Sequence, residues 1–448
     1  MNGKRTSVLL VSLLVSLGVI VAIAQSQPAE PAPKAIKARA LDDRNIVLLP
    51  VGRRPIGTGG GWLGGVPDPD PDANEPDKLA WQVFIAISKL ATSQQTVRGN
   101  TTNDAIWETW ADDPLTFPAS PNPANPPQWP ATGQTTTTFL KRLQIPTQIL
   151  LRELLRQKVP PSQIAPKMLE FQRAHPEANL QQLLRKQAAT SRLNPVHIEI
   201  VQTGGGEEVR RNKAAFDFIV SNGLWYKQGL KAAFAANKVI NFPVASIEVK
   251  AVWVPITASQ KSQYHWNYDA NGNLYGLVAM HLETKALPNW LWATFEWTGN
   301  AGRCDYLGCN DSFGVTPASI SPATTTGGTY PAGTLTPALL SLMSAAGLPA
   351  EFQNYRLKGS QTLFANTIGQ PTLLGNSVIE NGFVSSSSCI TCHGQASVDK
   401  NGNANPSFGF APTGESSNGP LTPSMFLDSS GQLQFFPIDF IWGIIKAQ

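Results

Sequence analysis

The chain has 448 residues, 42% of them hydrophobic, so it can bury a large core as one domain with insertions or as two or three ordinary ones. Only 15% are charged, against about 25% in a typical soluble domain, and the formal net charge is +4. With no long basic run, that balance argues against a nucleic-acid partner.

Lys4 and Arg5 precede an uncharged apolar run, Ser7 to Ala24. Ala22-Ile23-Ala24 then offers a small-x-small cleavage site before Gln25. Residues 1–24 read as an export signal, with an uncleaved membrane anchor as the alternative, because the run is just long enough to span a bilayer. Either reading puts the mature chain outside a bacterial cytoplasm, periplasmic or secreted, and touching a membrane only if the segment is retained. Residues 25–76 read as a Pro/Gly/Asp-rich linker. Asp68, Asp70 and Asp72 alternate there as in some calcium loops, but the interleaved prolines oppose the usual tight loop.

From Asp77 the pattern turns periodic. In "DKLAWQVFIAISKLA", Leu79, Val83, Phe84, Ile87 and Leu90 fall at helical spacing. Residues 138–158 and 162–190 read as two Gln-rich helices broken by Pro160-Pro161, a helical insertion over 138–190. Beyond about 195 the period changes to two. "VHIEIVQ", "FPVASIEVKAVWVPI", "NLYGLVAMHLET" and "NWLWATFEW" read as strands, and Asn271-Gly272 as a hairpin turn. The helix-like "RNKAAFDFIVSNGLWYKQGLKAAFAAN" lies among them. The expected fold class is α+β: a β-rich body over 77–335, packed against a small, mainly helical and loop segment over 336–448.

The four cysteines pair most simply two and two. Cys304 and Cys309 flank "CDYLGC" and could close a disulfide in an oxidising compartment. Cys389 and Cys392 stand in "SSSSCITCHGQAS", followed at once by His393. Cys-x-x-Cys-His is the spacing that sets two thiols for a porphyrin's vinyl groups and an imidazole for its iron. It implies one covalent haem c on Cys389, Cys392 and His393, with 336–448 as the haem segment. The rivals fit less well. A redox CxxC belongs in a thioredoxin-like unit, which is not visible. A zinc site needs further ligands, and Cys304 and Cys309 are spaced by four.

The second axial group decides the role. Met425 lies downstream of the motif, and His281 lies on an expected strand; these are the two candidates for the distal iron position, the alternative being an open site. His265 and His197 share the β region, while His175 lies in the insertion. Glu296, set among aromatics in "WATFEW", could move protons or form an internal ion pair. Trp290, Trp292, Phe295 and Trp297, with Trp253 and Trp266 nearby, could wall a haem or simply pack a core.

The strings "WQVFIAIS", "FPVASIEVKAVWV", "GLVAMHLETKALPNWLWATFEW", "LLGNSVIENGFVSSSSCITCHGQASV" and "IDFIWGI" together resemble bacterial exported cytochrome c family proteins. The resemblance spans about 79–448 apart from the insertion. It implies one haem on Cys389 and Cys392 with His393 as axial ligand, and it carries no firm activity. In that family a histidine often follows "ATFE"; Trp297 stands there in this chain, leaving His281 as the histidine of that block. The expected function is periplasmic electron transfer to a redox partner protein. The alternative is a haem oxidoreductase using peroxide or oxygen on a small molecule, served by Glu296 or His281. A gas-sensing or binding module is a third, weaker reading.

Overall fold

The computed structural model describes residues 75–91, 103–130, 141–142, 206–269, 272–323, 327–380, 384–405 and 418–448. The export signal, the Pro/Gly/Asp linker with Asp68, Asp70 and Asp72, His175, His197 and nearly all of the insertion lie outside them.

The α+β expectation holds at the level of class: one antiparallel sheet carries a few short helices. Its strands are β1 (Ala111–Asp112), β2 (Lys141–Arg142), β3 (Gly206–Arg211), β4 (Ile247–Pro255), β5 (Trp266–Tyr268), β6 (Leu274–Thr284), β7 (Leu291–Trp297) and β8 (Tyr355–Gln361). The order is β1-β3-β4-β6-β7-β8, with β2 also on β3 and β5 also on β6. Gly272 has a φ of 80° in the turn joining β5 to β6, a left-handed value that suits glycine. Residues 141–142 form a strand with β3, where the spacing predicts the start of a helix.

The period-two pattern splits every central strand into two faces. Ile247, Val249, Ala251 and Trp253 of β4, Met280 and Leu282 of β6, and Leu291, Ala293 and Phe295 of β7 share one buried apolar cluster. Helix α1 (Pro76–Ser88) covers this face, opening with proline in its first turn, where no backbone bond is lost. Phe84 stacks on Phe295 at 4.2 Å, and Trp81 meets the same ring edge-on at 4.9 Å. The Trp81 indole N–H also donates to Asp311 at 2.8 Å.

The opposite face is polar. Glu248 pairs with Glu283 and Lys250 with His281 across β4 and β6; Glu283 pairs with Trp292 and His281 with Thr294 across β6 and β7. Over these residues sits a second apolar cluster. It joins α2 (Lys213–Ser221) and α3 (Lys227–Ala235) to Trp290, Trp292, Cys389, Ile390, Met425, Phe440 and Trp442. Residues beyond 335 also contribute to the sheet and to the α1 side. Helix α4 (Pro337–Ala345) buries Leu339 and Met343 in the α1 cluster, and β8 closes the sheet edge beside β7. The part of the segment that joins α2 and α3 over the polar face comes after β8.

Candidate haem-attachment site

The CxxCH motif forms α5, the six-residue helix Cys389–Gly394. Gln361, at the end of β8, fixes its start. Its amide oxygen accepts from the Ile390 N–H at 3.0 Å, and its amide nitrogen donates to the Ser388 hydroxyl at 2.9 Å. The Thr391 hydroxyl donates to the Gly419 carbonyl at 2.7 Å. The Trp442 indole N–H donates to the Cys392 carbonyl at 2.9 Å. The motif is thus gripped by the sheet edge and by the last residues of the chain.

Neither Cys389 nor Cys392 is in a disulfide. Cys389 is buried, with its sulfur 3.4 Å from the Leu374 carbonyl, and Cys392 is partly exposed. Burial above all, with the charges of Glu380, Cys392 and Glu283, pushes the Cys389 thiol well up, so it stays protonated.

His393 carries the decisive geometry. Its Nδ1 lies 2.9 Å from the Phe440 carbonyl oxygen, which can only accept, so Nδ1 bears the proton and Nε2 keeps its lone pair. Glu283 lies 3.5 Å from the same Nδ1. Burial, reinforced by the charges of His281 and Lys250, holds the imidazole below its ordinary range and therefore neutral. A metal-binding imidazole must be neutral, and one whose second nitrogen is tied to a carbonyl is already oriented. The Trp292 ring packs on His393 at 4.5 Å, held by its own N–H to the Asn289 carbonyl at 2.9 Å.

His281 stands beside this motif on the polar face, with its Nε2 3.2 Å from Glu380. Attraction to the His281 imidazole and a backbone N–H from Asn376 at 2.6 Å outweigh burial and bring the Glu380 carboxyl below its ordinary range. Met425 belongs to the same apolar cluster, but its sulfur accepts the Thr422 N–H at 3.5 Å within its own turn. His265 lies on the other side of the sheet, stacked on Phe352 at 4.6 Å and 2.7 Å from Glu108.

The aromatic run divides with the strand alternation. Trp290 and Trp292 join the cluster around the motif, Phe295 enters the α1 core, and Trp297 stacks on Tyr264 at 4.4 Å. Glu296 is fully buried and engaged by the Ser377 N–H at 2.8 Å, the Ser377 hydroxyl and the Asn300 amide. The structure brings Cys389, Cys392, His393, His281 and Met425 onto one side of the sheet, and it sets Glu296 in a hydrogen-bonded group of its own. Cys304 and Cys309 form the expected disulfide.

Lys250, Glu283, Gln361 and Glu380 were not legible as site residues from motif spacing. Two of them had a signal: Glu283 shares the face of His281 by strand alternation, and Lys250 shares it once the register is known. Gln361 and Glu380 are brought in by long-range packing alone.

Among the described residues, no group of three or more His, Cys, Asp or Glu side chains is placed to hold a bare metal ion. A haem iron needs at most two such groups, since the porphyrin supplies four ligands. The donor set therefore fits a haem c: two reduced thiols one helical turn apart and a neutral imidazole with Nε2 available. Among the described residues, no helix is long and apolar enough to cross a membrane. Comparison of the chain with protein-family models, curated proteins and solved structures finds no match.

Proposed function

We propose that the chain is an exported c-type cytochrome with one haem, bound covalently through Cys389 and Cys392 and ligated by His393, which carries electrons to and from a redox partner. The observation that carries this reading is the bond from His393 Nδ1–H to the Phe440 carbonyl. It presents a neutral, oriented Nε2 directly after two cysteines that are not in a disulfide. When bound, the haem supplies one-electron Fe(III)/Fe(II) exchange. The protein's own part is to hold its ligand and bury its surroundings. Gln361 and Trp442 fix the ends of the motif, and Trp292 packs on the ligating ring. His281 would be the second imidazole available to hold the group, since Glu380 fixes its ring through Nε2 in the way a carboxylate orients a metal-binding imidazole.

One observation favours the second reading, a haem oxidoreductase with an open distal site. The His281–Glu380 pair and Lys250 put titratable groups beside the motif, as proton transfer to a bound oxidant requires. The two readings separate in a redox titration of protein matured with a haem-attachment system. The carrier gives one reversible one-electron transition and no turnover with peroxide. Protein that matures without a redox-active haem overturns both.

A further inference from the structure

The group around Glu296 has no part in the haem reading. Its carboxylate is fully buried between an amine and an amide. Lys358 Nζ lies 3.8 Å from Oε1, and the Asn300 side-chain amide donates to Oε2 at 3.1 Å. The lysine is there because β8 carries a bulge. Leu357 pairs with Phe295 and Gly359 with Thr294, so Lys358 is the extra residue, turned toward Glu296. Among the described residues its amine has no hydrogen-bond partner. The carboxylate cannot swing away, since the Ser377 N–H and hydroxyl hold both of its oxygens. Val278, Ala279 and Val378 belong to the apolar cluster beside it, with Ala279 directly opposite Glu296 in register.

We infer that Lys358 and Asn300 become joined by an intramolecular amide bond, with Glu296 as the proton-transfer residue. The bond staples β8 to the turn that follows β7. In the step, Lys358 Nζ attacks the Asn300 side-chain carbonyl carbon. Glu296 takes a proton from the attacking nitrogen and returns it to Asn300 Nδ2. The new N–C bond forms, the C–Nδ2 bond breaks, and ammonia leaves; no oxidant or cofactor is needed.

The surroundings supply what such a reaction requires. The nucleophile must be a neutral amine, and burial lowers the Lys358 pKa more than the Glu296 charge raises it, with Arg303 working in the same direction as burial. The acid–base group must reach both nitrogens, and Glu296 has one oxygen toward each. Holding the amine and the amide against the two oxygens of one carboxylate lowers the entropic barrier to an otherwise slow amidation. Asn300 is only half buried, so the ammonia released from it has a way to solvent.

The test is peptide mapping by mass spectrometry of the purified full chain. The result expected is a branched peptide that joins the Lys358 and Asn300 segments and is lighter than their sum by one ammonia. Lys358→Arg, which keeps the charge but not the nucleophile, should yield only linear peptides. Glu296→Gln should slow linkage by on the order of 100-fold or more. Linear peptides carrying unmodified Lys358 and Asn300 from the wild-type chain would overturn the inference. Undiminished linkage in Glu296→Gln would overturn the role of Glu296.

Discussion

The Nδ1–H of His393 donates to the carbonyl oxygen of Phe440 at 2.9 Å, which ties the CxxCH helix to a backbone group near the far end of the chain. Phe440 has a φ of 73° and its neighbour Asp439 a φ of 49°, left-handed values that non-glycine residues seldom adopt. What holds that turn is burial and charge. Asp439 is buried, bonded to Lys285 at 2.7 Å and to the Phe242 N–H at 2.7 Å, and Phe440 is in the apolar cluster. A strained backbone turn kept by such anchors suggests a carbonyl placed for a purpose.

His281→Ala should change the bands of the reduced haem, whereas Met425→Leu should leave them in place. The reason is that the Met425 sulfur is already engaged by Thr422 N–H, while His281 faces the motif. As a nearly volume-conserving core change, Met425→Leu should cost less than about 1.5 kcal/mol. Visible spectra of the two variants check this, and the opposite pattern would assign the distal position to Met425.

Gln361→Ala should destabilise the fold by about 1–3 kcal/mol, because it leaves the Ile390 N–H without a buried partner and the Ser388 hydroxyl with only its bond to Thr391. Urea unfolding measures the cost. The same variant should load less haem, since the start of α5 is no longer fixed. A variant with unaltered stability would show that Gln361 does not hold the motif.

How much of this was legible in the sequence differs by element. The strands of "IEVKAVWVP", "LYGLVAMHLET" and "LWATFEW" announce themselves, because β-branched and aromatic residues alternate with polar ones, and all three appear in one sheet. The helix from Pro76 is equally plain. Strand β8, "YRLKGSQ", was not, because its alternation ends after four residues and it owes its place to pairing with β7. Of the candidate site, Cys389, Cys392 and His393 are local in sequence and readable as such. The partners that orient them, Gln361, Glu380 and the Phe440 carbonyl, come from distant segments that no spacing rule connects. Glu296 showed itself as a carboxylate among aromatics, but which amine and amide it lies between needed the register of β7 and the bulge in β8.

Stability should fall as pH rises from about 4 to about 6 through Asp311. Burial raises its carboxyl to about 6 from an ordinary value of 3.8, more than the N–H groups of Gly314, Trp81 and Phe313 lower it. A raised folded pKa means the native state holds the proton more tightly, so this contribution is complete below the unfolded value and is lost on passing the folded one. Its size is on the order of 3 kcal/mol. Chemical unfolding followed at a series of pH values should show this slope, and Asp311→Asn should abolish it even though that variant leaves the Trp81 N–H poorly matched.

Replacing both Cys304 and Cys309 with alanine should lower stability by about 2 kcal/mol, the chain-entropy value for so short a loop. Urea midpoints of the oxidised chain and the double variant give the difference. Identical midpoints would mean that the bridge does not contribute.

The central claim is the covalent haem, and the most direct measurement is the mass of the chain after denaturation and acid extraction, following maturation with a haem-attachment system. The account predicts one haem retained per chain, lost from the Cys389→Ser, Cys392→Ser double variant and located on the peptide containing 389–393. A wild-type chain that releases its haem on extraction, or matures without any, would contradict it.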